Sequence, residues 1–143
     1  MVMAFRQVRW LARPALMGLC LSAGFAATSG GAQGPALGML DRLEPGLWEI
    51  QPRDQSSGVT QVCIDSGRRL IQIRHARDNC RRFVIEDTPG AVTVQYSCPA
   101  NGYGHTHIRF ENPRLAQIDT QGIESGLPFN FSAEARRIGT CRR

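Results

Sequence analysis

From Leu47 onward most of this chain alternates apolar with polar residues, and a period of two marks a strand with one buried face. Leu47-Trp48-Glu49-Ile50 follows a Pro-Gly turn, and residues 59–64 repeat the pattern at high β-branched density. Residues 80–87 and 91–98 read as a hairpin joined by Thr88-Pro89-Gly90. Phe83 and Ile85 are its inward candidates on the first strand, with Val92, Val94, Tyr96 and Cys98 on the second. Asn101-Gly102 introduces a strand over 104–111 that carries Thr106, Ile108 and Phe110 on one face. Pro113 interrupts it, 114–121 follows, and Glu124-Ser125-Gly126 turns into a last strand over 127–138. One segment has helical spacing: Asp65-Ser66 caps residues 67–77, with Leu70, Ile73 and Ala76 on one side. The class is mainly β: an antiparallel meander forming a curved sheet or incomplete up-and-down barrel, with one short helix covering an opening or a face.

The amino-terminal third lacks this alternation. Arg6, Arg9 and Arg13 precede any acidic residue, and 15–27 is apolar or small throughout. Those 13 residues match a signal-peptide core and fall short of the roughly 20 that span a bilayer. We read residues 1–32 as a signal peptide cleaved after Gly30-Gly31-Ala32, with Gly24-Phe25-Ala26 as the second choice. A lipid anchor at Cys20 is disfavoured by Leu19, and no adjacent arginine pair marks twin-arginine export. Residues 33–43 then read as a flexible leader and 44–143 as a single β-rich domain. No transmembrane segment is expected.

Removing the signal changes the charge. The chain has 17 basic and 12 acidic residues, but three of the arginines precede Gln33, which leaves 14 against 12. A nearly balanced domain with no aromatic-rich binding motif argues against nucleic acid. The run Arg68, Arg69, Arg74, Arg77, Arg81 and Arg82 would suit an anionic surface. The plainer account is a solvated face pairing with Asp65, Asp78, Glu86 and Asp87.

Cys63, Cys80, Cys98 and Cys141 form an even set beyond the signal, which in a small exported domain reads as two disulfides. Three pairings are open. We favour Cys63–Cys80, which staples the helical excursion to the sheet, and Cys98–Cys141, which ties the terminus to a central strand. No C-x-x-C spacing supports a metal site in their place.

Pro45-Gly46-Leu47-Trp48-Glu49, Val62-Cys63-Ile64, Cys98-Pro99 and Arg137-Ile138-Gly139-Thr140-Cys141 follow one another in an order that resembles a bacterial exported family, domain of unknown function 3617. The likeness runs from Glu44 to Cys141 and departs in the arginine-rich 68–82 segment and in lacking Met- and Thr-rich late strands. The resemblance implies a small periplasmic β-domain of a Gram-negative bacterium and no particular activity.

His105-Thr106-His107 places two imidazoles on one strand face, about 7 Å apart, and Arg109 and Glu111 continue it. These four are the candidate ligand-binding residues. A metal would need a third ligand, for which His75, Asp119 or Glu111 are the candidates. The plainer account is a solvated polar face, and no metal or other cofactor is expected. No G-x-S-x-G, H-E-x-x-H, phosphate loop or S-x-x-K occurs, and Gln121 breaks the Asp-Thr-Gly pattern at Asp119. Trp48 and Phe83, with most of Phe129 and Phe131, read as core. The expectation is a non-catalytic domain that binds a small apolar ligand or an envelope protein. The alternative is a metal-dependent or acid–base enzyme using the His105/His107 face.

Overall fold

Alternation becomes seven strands: β1 (Gly46–Pro52), β2 (Thr60–Ile64), β3 (Arg81–Asp87), β4 (Ala91–Cys98), β5 (Gly102–Asn112), β6 (Leu115–Glu124) and β7 (Leu127–Gly139). A computed structural model describes residues 36–54, 58–77 and 79–142, so the signal-peptide reading of 1–32 lies outside the described residues. The strands make one antiparallel sheet in the order β2-β1-β7-β6-β5-β4-β3. Its end strands, β2 and β3, do not pair with each other, so the sheet is open. The chain makes the β1–β2 hairpin, crosses to the opposite edge, and meanders back from β3 until β7 meets β1.

The crossing segment accounts for the buried face. The predicted helix over 67–77 is instead two 3-10 turns, Gly67–Leu70 and Ile73–His75. Ser66 does cap the first, its hydroxyl accepting from the Arg68 N–H. The burial pattern explains why no α-helix continues. Leu70, Ile71, Gln72 and His75 are all buried, a spacing that no single helical stripe provides. Gln72 stops the run with its own side chain: Nε2 donates to the His75 carbonyl at 2.9 Å.

A second piece covers the same face. The flexible-leader reading fails from Leu37 onward. Residues Gly38–Asp41 form a short helix, α1, and Leu37, Met39, Leu40 and Leu43 are buried with Trp48, Ile50, Val92, Val94, Ile108 and Ile118. Four large apolar side chains within seven residues are enough to order a segment with so little propensity of its own. The Leu37 N–H donates to Asp87 and the Arg68 guanidinium pairs with Asp41, which ties α1 to β3 and to the crossing segment.

The register also corrects the inward face of β3. Arg82, Val84 and Asp87 stand opposite Tyr96, Val94 and Val92, so they share the covered side, while Phe83 stands opposite Gln95 and points out. A bulge between Val84 and Glu86 makes Ile85 an extra residue. Phe83 is 70 % exposed and Ile85 51 %. Val92, Val94, Tyr96 and Cys98 are buried as expected, as are Thr106 and Ile108, and Phe110 packs against the core. Trp48 is core, its indole N–H donating to the Glu44 carbonyl.

All four cysteines are in disulfides, but the pairs are Cys80–Cys98 and Cys63–Cys141 rather than Cys63–Cys80 and Cys98–Cys141. The ladder dictates both. Arg81 opposite Ser97 brings Cys80 across from Cys98, 4.2 Å apart at Cα. Leu47 stands opposite both Cys63 and Gly139, so the tail beyond β7 reaches β2 over the start of β1.

Candidate functional site

Beneath the crossing segment lies a buried polar cluster on Tyr96. Its ring fits because Gly104 stands opposite: a Cβ there would lie 2.3 Å from the phenol. His75 Nδ1 is 3.1 Å from the Tyr96 hydroxyl and Nε2 is 3.2 Å from the Asn101 carbonyl. A carbonyl only accepts, so Nε2 carries the proton and Nδ1 accepts from the phenol. Thr106 and Thr120 share a hydrogen bond, their hydroxyls 2.7 Å apart, which leaves the pair one proton for the Tyr96 oxygen. Burial pushes the Tyr96 phenol above its ordinary value, and the two threonine hydroxyls partly offset that. His75 is thereby committed to the covered face, away from the predicted histidine pair.

On the outer face the register draws one polar row across five strands: Glu86, Thr93, His107, Asp119 and Ser132. The Thr93 hydroxyl donates to Glu86 at 2.9 Å and lies 2.9 Å from His107 Nδ1; Ser132 donates to Asp119 at 2.6 Å. Since Thr93 gives its proton to the carboxylate, His107 Nδ1–H donates to Thr93, and Nε2 is left as the basic atom. His105 occupies the next row, opposite Gln95 and Gln121. Between the two rows is a shallow depression of 210 Å³ lined by His105, His107, Asp119, Gln121 and Asn130.

The four predicted residues thus share a face, but they do not form one cluster. Arg109 and Glu111 bond each other at 2.9 Å near the bulge that follows Phe110. Among the described residues no group of three or more His, Cys, Asp or Glu is disposed to hold a metal ion. Sequence reasoning missed Glu86, Thr93 and Ser132, which only cross-strand register brings beside His107 and Asp119. The arginines of the crossing segment mostly find acids, of which only Asp65 is among the expected ones. Arg68 pairs with Asp41, Arg69 with Asp65 and Arg74 with Glu124. Asp78 lies outside the described residues. The Arg68 guanidinium, bonded to Asp41, holds that carboxyl below the usual range.

The remaining feature is the β3 edge. Arg81, Phe83 and Ile85 are exposed along it, and a 270 Å³ depression bounded by Arg81, Phe83, Gln95 and Ser97 adjoins it. The other large exposed apolar side chains, such as Leu127 and Val59, lie away from this strand and need no special account.

These features define a class: an open seven-stranded antiparallel domain whose covered face is filled by its own chain and closed by two disulfides. The chain belongs to the family described as protein of unknown function (DUF3617), whose profile matches residues 43–141. Among curated proteins nothing matches it. No helix of the described residues is long and apolar enough to cross a membrane.

Proposed function

We propose that the chain is an exported, non-catalytic binding domain of the bacterial envelope, and that it works by presenting its β3 edge to another protein. One observation carries this reading: Phe83 and Ile85 stand exposed on a strand whose outer edge is paired by no other strand among the described residues. Exposed edges are costly to keep, because they template pairing with other chains, and strand addition is a common way of binding. The inner face offers no room for an apolar ligand, since α1 and the crossing segment already bury it. Export is supported by the charged and apolar amino terminus and by two disulfides, which persist in oxidising compartments.

A second reading has one observation in its favour. The His107–Thr93–Glu86 relay orients an imidazole much as an acid–base residue is oriented, beside a depression. Complementation of a strain lacking the protein separates the two. Phe83→Asp should fail to restore the wild-type phenotype, whereas the double change His105→Ala, His107→Ala should restore it. Restoration by Phe83→Asp and failure of the histidine variant would replace the first reading with the second.

A further inference from the structure

We propose that the partner of the β3 edge is a second copy of this chain, joined antiparallel strand to strand about a two-fold axis at Phe83. The inference rests on the binding reading above and names its occupant. Strand β3 reads Arg-Arg-Phe-Val-Ile-Glu-Asp: two cations, three apolar residues, two anions. Antiparallel self-apposition lays the basic half of one copy along the acidic half of the other, twice by symmetry, and parallel apposition would set like on like.

Facing residues narrow the register. Opposed residues of an antiparallel pair share a face. Arg81, Phe83 and Glu86, opposite Ser97, Gln95 and Thr93, share the outer face, whereas Arg82, Val84 and Asp87 take the covered one. The bulge absorbs Ile85, so along the ladder Phe83 stands midway between Arg81 and Glu86. An axis through Phe83 therefore sets Arg81 against the partner's Glu86, Glu86 against the partner's Arg81, and the two Phe83 rings together. Ile85 flanks that ring pair from either side. The bulge also selects the occupant. It bars a straight strand, while a second copy brings the same bulge to the symmetry-related place. Arg82 and Asp87 are held by Gln72 and the Leu37 N–H, which keeps the strand in one conformation before pairing.

Sedimentation of the oxidised, signal-free protein tests this with charge reversal. Wild type should show a concentration-dependent monomer–dimer equilibrium. Arg81→Glu leaves both edges acidic and Glu86→Arg leaves both basic, so each alone should weaken self-association about tenfold or more. Mixed in equal amounts, the two should restore the dimer, an outcome that misfolded variants cannot give. Wild type monomeric at every concentration, or a mixture no more associated than its components, overturns self-pairing. If in that case Phe83→Asp still fails to complement, the edge binds another protein and only the choice of partner is wrong. If Phe83→Asp complements, both the edge reading and the self-pairing fall.

Discussion

Tyr96 shows how closely single residues are matched in this domain. Gly104 leaves the space its ring fills, and Gly122, opposite Gly104, lies so near the next strand that a Cβ would meet the Tyr103 carbonyl at 2.0 Å. The phenol donates to His75 and accepts from the Thr106–Thr120 pair, so the buried oxygen is hydrogen-bonded both ways. Because burial raises its pKa in the folded state, the neutral phenol's contribution is fully present below the unfolded value of about 10 and is lost as pH rises through the folded one. Tyr96→Phe should therefore cost about 1–3 kcal/mol at pH 7 by stranding its partners. It should also flatten the alkaline limb of the stability curve. Denaturant unfolding of both proteins at pH 7 and pH 11 checks this; an equal alkaline decline in the variant would assign that limb to other groups.

Among the elements, what could be read from sequence was whatever period two encodes. The strands β4 to β7 follow from alternation, as do the buried sets of β4 and β5, because a one-residue slip would expose an entire face. The misreadings share a cause. Hydrophobicity alone points Phe83 and Ile85 inward, but the β3–β4 register and the bulge at Ile85 turn them out. The leader carries no period, and Leu37, Met39, Leu40 and Leu43 acquire a structure only by packing on a sheet built by later residues. Neither disulfide pair was legible: Cys80 meets Cys98 only because the bulge shifts the β3–β4 register by one residue, and Cys63–Cys141 depends on β1 lying between β2 and β7. The polar row at His107 was hidden likewise, because its members lie on five strands.

The two bridges also differ in how much chain they constrain, with sequence separations of 18 and 78. Loop-closure entropy puts the shorter at about 3 kcal/mol and the longer at about 4.5 kcal/mol. The Cys63→Ser, Cys141→Ser pair should thus lower the melting temperature several degrees more than Cys80→Ser, Cys98→Ser. Thermal unfolding under oxidising conditions decides it. The reverse order would place the dominant constraint in the β3–β4 hairpin.

At the scale of the whole molecule, one face of the sheet is spent on stability. The first residues of the domain and the crossing segment fill it, and the last strand closes on the first. What remains for function is the outer face and two edges. The outer face is a polar mosaic whose histidines are spread over separate rows; the β3 edge gathers exposed apolar and oppositely charged residues in one strand. The central claim is that this edge, and not the histidine face, is the working surface. A photo-crosslinking amino acid placed at Phe83 or at His105 and irradiated in living cells tests it most directly. The account predicts a specific protein adduct from position 83, at twice the mass of the chain, and none from position 105. An adduct from position 105 with none from position 83 would contradict it.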